Sequence, residues 1–122
     1  MSRPLVLVVE DDFDVRESIT DILEHDGYDV RCAGDGREAL DLLDAGPTPA
    51  LILLDLMMAG MNGFQFRAEQ RRRPELAAIP VVILSADRQI ENKAHELGAD
   101  GFLRKPTKMS ELLAVLHRLC PA

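Results

Sequence analysis

The 122-residue sequence has few cysteines, no long hydrophobic run and no excess of basic residues, and each shortage argues against a class of protein. Its two cysteines, Cys32 and Cys120, form no CxxC pair and have no metal-ligand spacing, which favours ordinary thiols over redox chemistry. No apolar run approaches the roughly 18 residues of a membrane-spanning helix. The net charge of −7 argues against direct binding of nucleic acid. The one basic run, Arg71 to Arg73, is predicted near a helix end, where cations complement the helix dipole.

The N-terminus lacks the features of a secretory signal peptide. The apolar run that follows Pro4 ends in acidic residues, whereas a signal peptide ends in small ones. If Met1 is the native start, a cytoplasmic location is expected. The sequence shows no repeat, low-complexity tract or linker, and its length suits a single domain over residues 1–122.

Strands and helices alternate along the chain. Short apolar runs predict strands at Leu5–Val9, Tyr28–Cys32, Leu51–Leu54, Val81–Leu84 and Gly101–Arg104. Helical spacing predicts helices at about 14–25, 64–73, 88–97 and 108–119. A further helix is predicted to begin after Asp35, which is suited to capping it. Five strands alternating with five helices predict an α/β fold, with helices on both faces of a parallel sheet. We expect the flavodoxin-like order 2-1-3-4-5, whose binding crevice lies at the carboxyl ends of strands one and three.

Acidic side chains are concentrated at that crevice. Glu10, Asp11 and Asp12 follow the first predicted strand, and Asp55 follows the third. Carboxylates held together repel one another, so either one is protonated or a cation neutralises them. Hard oxygen ligands in an open crevice suit Mg²⁺, which takes one or two carboxylates and keeps several waters. Asp12 and Asp14 are also suited to capping the first helix, but capping alone does not account for Glu10, Asp11 and Asp55 together.

Two further polar residues are predicted at the same edge of the sheet. Ser85 follows the fourth strand and Lys105 follows the fifth. Read singly, such residues are more often a helix cap and a solvated surface lysine. Around one carboxylate, however, a metal, a hydroxyl and an ammonium form a site for a phosphoryl group. The pattern predicts that Asp55 attacks phosphorus and becomes an aspartyl phosphate, while Mg²⁺, Ser85 and Lys105 neutralise the transferred oxygens.

Five motifs, in order, give essentially the whole chain a resemblance to a known family. They are Val8-Val9-Glu10-Asp11-Asp12, Leu53-Leu54-Asp55-Leu56-Met57-Met58, Gly60-Met61-Asn62-Gly63, Leu84-Ser85-Ala86 and Gly98-Ala99-Asp100-Gly101-Phe102-Leu103-Arg104-Lys105-Pro106. Together they resemble the receiver domains of bacterial two-component response regulators. Any one motif is weak evidence, but five at compatible spacings are specific.

The resemblance implies which residues accept the phosphoryl group and hold the metal. Asp55 is expected to be the phosphoacceptor and a Mg²⁺ ligand. Asp11 is expected to bind the ion directly and Glu10 through water. The backbone carbonyl of Met57 would complete the protein's share of the coordination shell.

The resemblance also implies a set of switch residues. Ser85 is expected to be the switch hydroxyl, Lys105 the phosphate-binding lysine, and Phe102 the aromatic residue that rotates on activation. For Phe102, the residue pattern alone indicates a strand residue packed on the core. The resemblance also implies a cis peptide bond between Lys105 and Pro106.

Two positions depart from the family pattern. Ala59 stands where the family usually has proline, so the loop after Asp55 is expected to be less rigid. Thr107 stands where many DNA-binding members have phenylalanine, which argues against a transcription factor.

The implied function is a phosphorylation-dependent signalling switch rather than a conventional enzyme. A histidine kinase or a histidine phosphotransfer protein would supply the phosphoryl group, and the domain would catalyse its own phosphotransfer and dephosphorylation. The surface of the fourth helix, fifth strand and fifth helix would then change and meet an unknown downstream effector. No direct contact with nucleic acid or membrane is expected. A phosphorylation-dependent homodimer stays open, although the last two helices lack the regular charge pattern that many family members use to dimerise.

Two other classes of protein share parts of this pattern. A Mg²⁺-dependent phosphohydrolase with an aspartate nucleophile would carry a second acid two residues after Asp55, where this chain has Met57. Turnover of a phosphate ester would favour that enzyme. A flavin-binding module of the same topology would need a hydroxyl- and glycine-rich loop after the first strand. The acids that stand there would instead repel the flavin phosphate. A yellow, flavin-retaining protein would favour the flavin-binding module.

Overall fold

The computed structural model describes residues 3–122 and contains a five-stranded parallel sheet. Its strands are β1 (Leu5–Val9), β2 (Asp29–Ala33), β3 (Leu51–Asp55), β4 (Val81–Ser85) and β5 (Gly101–Arg104). The order is β2-β1-β3-β4-β5, and every neighbouring pair is parallel. The flavodoxin-like prediction is therefore confirmed. Because the winding reverses between β1 and β3, the crevice at their carboxyl ends is the expected place for a site.

Residues 3–122 contain six helices, one more than predicted. They are α1 (Phe13–His25), α2 (Gly36–Ala45), α3 (Gly63–Arg72), α4 (Pro74–Ala77), α5 (Ile90–Glu96) and α6 (Met109–Leu119). The five predicted helices are α1, α2, α3, α5 and α6. The additional helix, α4, was not predicted because its four residues are too few to show an apolar period. Pro74 starts it, in keeping with the preference of proline for the first helical turn.

The helices form a layer on each face of the sheet. Side chains alternate along β1, so that Leu7 and Val9 join one apolar cluster while Val6 and Val8 join the other. The first cluster includes residues of α2, α3 and α5, and the second includes residues of α1 and α6. Covering both faces explains why the strands read as continuous apolar runs.

Local hydrogen bonds set where the helices begin. Asp12 caps α1 by accepting the N–H of Val15, and Asp35 caps α2 by accepting the N–H of Glu38. The predicted fourth helix starts two residues later than expected, at Ile90. The side chain of Asp87 accepts the N–H of Gln89, a turn that competes with helix formation.

The basic run at the end of α3 is engaged with neighbouring groups. Arg71 and Arg72 lie in the last turn of the helix, as predicted, and Arg73 is its C-terminal cap. Arg72 pairs with Glu69, and Arg73 pairs with Asp44 at 2.8 Å. These contacts support a structural role for the run.

Candidate functional site

Four polar residues converge at the carboxyl edge of the sheet. Glu10 follows β1, and its N–H extends the pairing with β2 by donating to the carbonyl of Ala33. Asp55 and Ser85 are the last residues of β3 and β4, and each is only 2% exposed. Lys105 follows β5 and donates its backbone N–H to the carbonyl of Ser85 at 2.9 Å. The strand order thus brings together residues that are up to 95 positions apart, from Glu10 to Lys105.

Three carboxylates form a pocket that fits a divalent cation. Ligand oxygens of Glu10, Asp11 and Asp55 all lie within 4.8 Å of one another. Glu10 is 1% exposed, and Lys105 Nζ lies 2.7 Å from its buried Oε2 as an ion pair. A carboxylate has several acceptor sites, so this contact leaves Glu10 able to bind a cation as well. The donor set, all carboxylate oxygen, is the kind that Mg²⁺ prefers.

The charges in the pocket shift two pKa values. Burial raises the pKa of Glu10 to about 6; Lys105 partly offsets that rise, and the negative charge of Asp55 adds to it. Burial disfavours the charged form of Lys105, but its contacts with Glu10 and Asp55 outweigh burial and raise the pKa of the ammonium. Lys105 Nζ lies 3.3 Å from Asp55 Oδ2. The lysine therefore stays charged and offsets part of the repulsion between the acids.

The two aspartates that follow Glu10 have separate surroundings. Asp12 Oδ1 accepts the N–H of Val15 at 3.1 Å and so belongs to the cap of α1. Asp11 lies in the carboxylate pocket, and its Oδ2 accepts the N–H of Ala59 at 3.3 Å. A proline at position 59 could not make the bond to Asp11 because proline has no N–H. Ala59 thus provides a tether between its loop and the pocket that the usual family residue would lack.

The loop after β3 lies close against the Asp55 carboxylate. The N–H of Met57 donates to Asp55 Oδ1 at 3.1 Å, which holds the Met57 backbone beside the pocket while its side chain is 69% exposed. The loop ends at Gly63, the first residue of α3. A Cβ there would lie 2.5 Å from the carbonyl oxygen of Asp55, so only glycine allows α3 to start this close to β3.

The hydroxyl of Ser85 is bonded to the loop that precedes α5. Ser85 Oγ accepts the N–H of Asp87 at 3.1 Å. The carboxylate of Asp87 forms a hydrogen-bonded ion pair with Lys93 of α5, and this contact lowers the pKa of Asp87. Arg104 at the end of β5 donates to the carbonyl of Asp87 at 3.0 Å. Ser85, the start of α5 and the end of β5 are thus connected by direct contacts.

The remaining residues of the resemblance lie along β5. Phe102 pairs in register with Ile83 of β4, is half-buried, and packs against the apolar cluster that includes α5. The peptide bond between Lys105 and Pro106 is cis.

Comparison with known proteins identifies the family. The model of the response regulator receiver domain matches residues 6–117. The chain belongs to the response regulator receiver family. The response regulator MprA of Mycolicibacterium vanbaalenii is 39% identical over 116 residues, covering 93% of this chain and 49% of that protein. The phosphate regulon transcriptional regulatory protein PhoB of Escherichia coli is 38% identical, covering 95% and 53% respectively.

A solved structure supports the same assignment. The chemotaxis protein CheY4 of Vibrio cholerae superposes with a TM-score of 0.88 at 30% identity, covering 97% of this chain and 99% of that one. This receiver domain spans about half the length of the curated relatives it matches. Among residues 3–122, no helix is both long and apolar enough to span a bilayer.

Some contacts that shape the receiver domain were not predicted from the sequence. Arg16 of α1 donates to the backbone carbonyl of Glu10, and the buried pair Arg67 and Gln70 links α3 to the end of α5. Arg16 gave no signal because its partner is a backbone atom. Arg67 and Gln70 could have been noticed, because two polar residues three positions apart share the buried face that contains Phe66.

Proposed function

We propose that this receiver domain is a phosphorylation-activated switch whose Asp55 accepts a phosphoryl group in a Mg²⁺-dependent reaction. The donor would be a phosphohistidine of a histidine kinase or a histidine phosphotransfer protein. The observation that carries the proposal is the convergence on Asp55 of one ammonium and two further carboxylates. Lys105 Nζ lies 3.3 Å from Asp55 Oδ2, and oxygens of Glu10 and Asp11 lie within 4.8 Å of those of Asp55.

The residues that would hold Mg²⁺ are the three carboxylates and the loop that follows β3. Glu10, Asp11 and Asp55 supply the oxygens, and the resemblance adds the backbone carbonyl of Met57. When bound, the ion would offset the negative charge of the carboxylates and of the phosphoryl oxygens.

The acceptor carboxylate and its neighbours account for the transfer. An oxygen of Asp55 forms a bond to phosphorus while the bond from phosphorus to the partner's imidazole nitrogen breaks, and the electron pair of that bond stays on the nitrogen. The N–H of Met57 orients the carboxylate through Oδ1. The charged ammonium of Lys105 neutralises the transferred oxygens, a role favoured by its raised pKa.

The side of the pocket next to α1 is suited to a partner's approach. An apolar groove of about 520 Å³ runs beside Lys105, between Val15 and Ile19 of α1 and the segment that contains Pro106. A partner that covers this groove would exclude water from the adjacent phosphoryl group. We place the partner's phosphohistidine on this side.

Phosphorylation of Asp55 would change the conformation of the domain through Ser85 and α5. In the unphosphorylated chain the Ser85 hydroxyl accepts the N–H of Asp87. A phosphoryl group on Asp55 offers that hydroxyl a charged acceptor, so Ser85 would turn toward it and release the loop before α5. Phe102 would then repack, and the surface of α5, β5 and α6 would present a second conformation to a downstream effector or to a second copy of the chain.

Acetyl phosphate, a small acyl phosphate donor, tests the acceptor directly. With Mg²⁺ present, we expect intact-protein mass spectra to show one added phosphoryl group on the unmodified chain and none on Asp55→Asn. Removal of Mg²⁺ with a chelator should prevent labelling. Asp41→Asn, which alters an exposed acid on α2, is the matched control and should label normally. Equal labelling of Asp55→Asn would refute the assignment.

A further inference from the structure

Arg16 of α1 holds the backbone between Glu10 and Asp11, which are two of the candidate metal ligands. Its Nη1 donates to the carbonyl oxygen of Glu10 at 2.9 Å. Glu10 is the first residue after β1, so this carbonyl lies where the strand ends and the loop to α1 begins. The donor is a cation, which makes the hydrogen bond stronger than one between neutral groups.

The carbonyl of Glu10 belongs to the peptide unit that carries the N–H of Asp11. Because a peptide unit is planar, fixing the direction of its carbonyl also fixes the plane from which Asp11 continues. Glu10 is buried and its Oε1 accepts the N–H of Asp12 at 3.2 Å, whereas Asp11 is exposed and accepts the N–H of Ala59 at the longer distance of 3.3 Å. The position of the Asp11 carboxylate therefore depends strongly on its backbone.

Arg16 is itself held in place by contacts unrelated to a ligand. Its guanidinium lies 5.6 Å from the centroid of the Phe13 ring, within range of a cation–π interaction. On another side, a Cβ added at Gly34 would lie 3.5 Å from Nη1, so the turn after β2 passes close to the guanidinium. A donor held this way keeps one direction before any ion binds.

We propose that Arg16 is a positioning residue of the carboxylate pocket, which sets the separation of the Glu10 and Asp11 carboxylates by fixing the peptide between them. This inference rests on the proposed Mg²⁺ binding of the same pocket. Residues that orient metal ligands without touching the metal typically change metal affinity by about 10–100-fold when they are replaced. The structure gives Arg16 such a place, because it contacts the backbone of one ligand candidate and is not itself one of the clustered acids.

The test compares Mg²⁺ affinity, measured by titration calorimetry, among Arg16→Met, Arg16→Lys and the unmodified chain. Arg16→Met keeps an apolar stem and removes the donor, and we expect its affinity to fall about tenfold. The Mg²⁺ concentration for half-maximal labelling by acetyl phosphate should rise by a similar factor, while labelling at saturating Mg²⁺ stays within about twofold. Arg16→Lys has a single point donor on a flexible stem and should fall between the two.

Arg37→Met is the matched control, since Arg37 is an exposed arginine of α2 that pairs with Asp41. It should bind Mg²⁺ like the unmodified chain. A folded Arg16→Met protein with the control's affinity would overturn the proposal. If Arg16→Met does not fold, Arg16→Lys decides: about a threefold or greater loss at an unchanged melting temperature supports positioning, and unchanged affinity overturns it. An unmodified chain that binds no Mg²⁺ would overturn the proposed function as well, which distinguishes the two failures.

Discussion

At the residue scale, neighbouring aspartates at the end of β1 have different tasks. Asp12 accepts the N–H of Val15 as the cap of α1, whereas Asp11 shares the pocket with Glu10 and Asp55. Consecutive residues leave the backbone in different directions, so one faces the helix and the other faces the crevice. On composition alone, both were equal candidates for a metal ligand.

Alanine at each of these two positions should therefore give opposite results. Asp11→Ala should lose Mg²⁺ affinity on the order of tenfold or more, equivalent to about 1.4 kcal/mol, while the metal-free fold is kept or stabilised by the relief of repulsion. Asp12→Ala should bind Mg²⁺ normally but lose about 1 kcal/mol of stability with its cap. Calorimetric titration and thermal unfolding measure the two effects. An equal loss of affinity in both variants would contradict the separation.

The raised pKa of Glu10 predicts how the stability of the metal-free protein depends on pH. Its carboxyl binds a proton more tightly in the folded state, with a pKa of about 6, than in the unfolded state, with a pKa near 4.5. Protonation of Glu10 therefore adds on the order of 2 kcal/mol to the free energy of unfolding below pH 4.5. This contribution is lost as the pH rises to about 6. The difference in unfolding free energy between the unmodified chain and Glu10→Gln should therefore change across this window. A constant difference would show that Glu10 does not titrate there.

At the scale of the elements, a buried polar pair fixes one end of α5. Arg67 of α3 is 6% exposed and donates to the carbonyls of Leu97 and Gly98, which follow α5, and to the side chain of Gln70. Gln70, fully buried, donates to the carbonyls of Leu76 and Ile79. These bonds satisfy carbonyls at the end of one helix and in the turn that precedes β4.

Removal of the guanidinium should destabilise the fold. Arg67→Met leaves the carbonyls of Leu97 and Gly98 and the oxygen of Gln70 without their donor, and we expect a loss of about 2–3 kcal/mol. Urea unfolding should show a lower midpoint at an unchanged slope. Arg72→Met is the control, because Arg72 is exposed and pairs only at the surface of α3, where such pairs contribute about 0–1 kcal/mol. If both variants lost the same stability, the buried network would not anchor α5.

At the scale of the whole molecule, Lys105 joins the carboxylate pocket to β5. Its backbone N–H donates to the carbonyl of Ser85, and its ammonium contacts Glu10 and Asp55. Ser85 in turn contacts the loop that leads to α5. Asp55 and the surface of α5, β5 and α6 are thus linked through one side chain and one short loop.

Lys105→Ala should uncouple the acceptor from that surface. Asp55 would still accept a phosphoryl group from acetyl phosphate, but β5 would lose its charged contact with the phosphoryl oxygens. Amide NMR shifts that accompany phosphorylation should be confined to the pocket in Lys105→Ala and extend through α5, β5 and α6 in the unmodified chain. Lys108→Ala, at the exposed start of α6, serves as the control. Full shifts in Lys105→Ala would argue against the coupling role.

The sequence by itself determined the fold and the place of the site. Buried strands, capping aspartates and their alternation are local patterns, and the handedness of crossovers leaves few ways to connect five parallel strands. Those rules predicted the order β2-β1-β3-β4-β5, and with it the meeting of Glu10 and Asp55 at one edge. The cap on Asp12 was among the alternatives that the sequence left open.

Only the tertiary structure decided which contacts hold that site. Arg16 bonds a backbone carbonyl, Ala59 bonds the carboxylate of Asp11 from 48 residues away, and Arg67 bonds carbonyls about 30 residues further along. Every residue except proline has a carbonyl and an N–H of the same kind, so the sequence does not mark which of them will be used. The partners of these polar side chains are fixed by the packing of helices against the sheet, which exists only once the chain has folded.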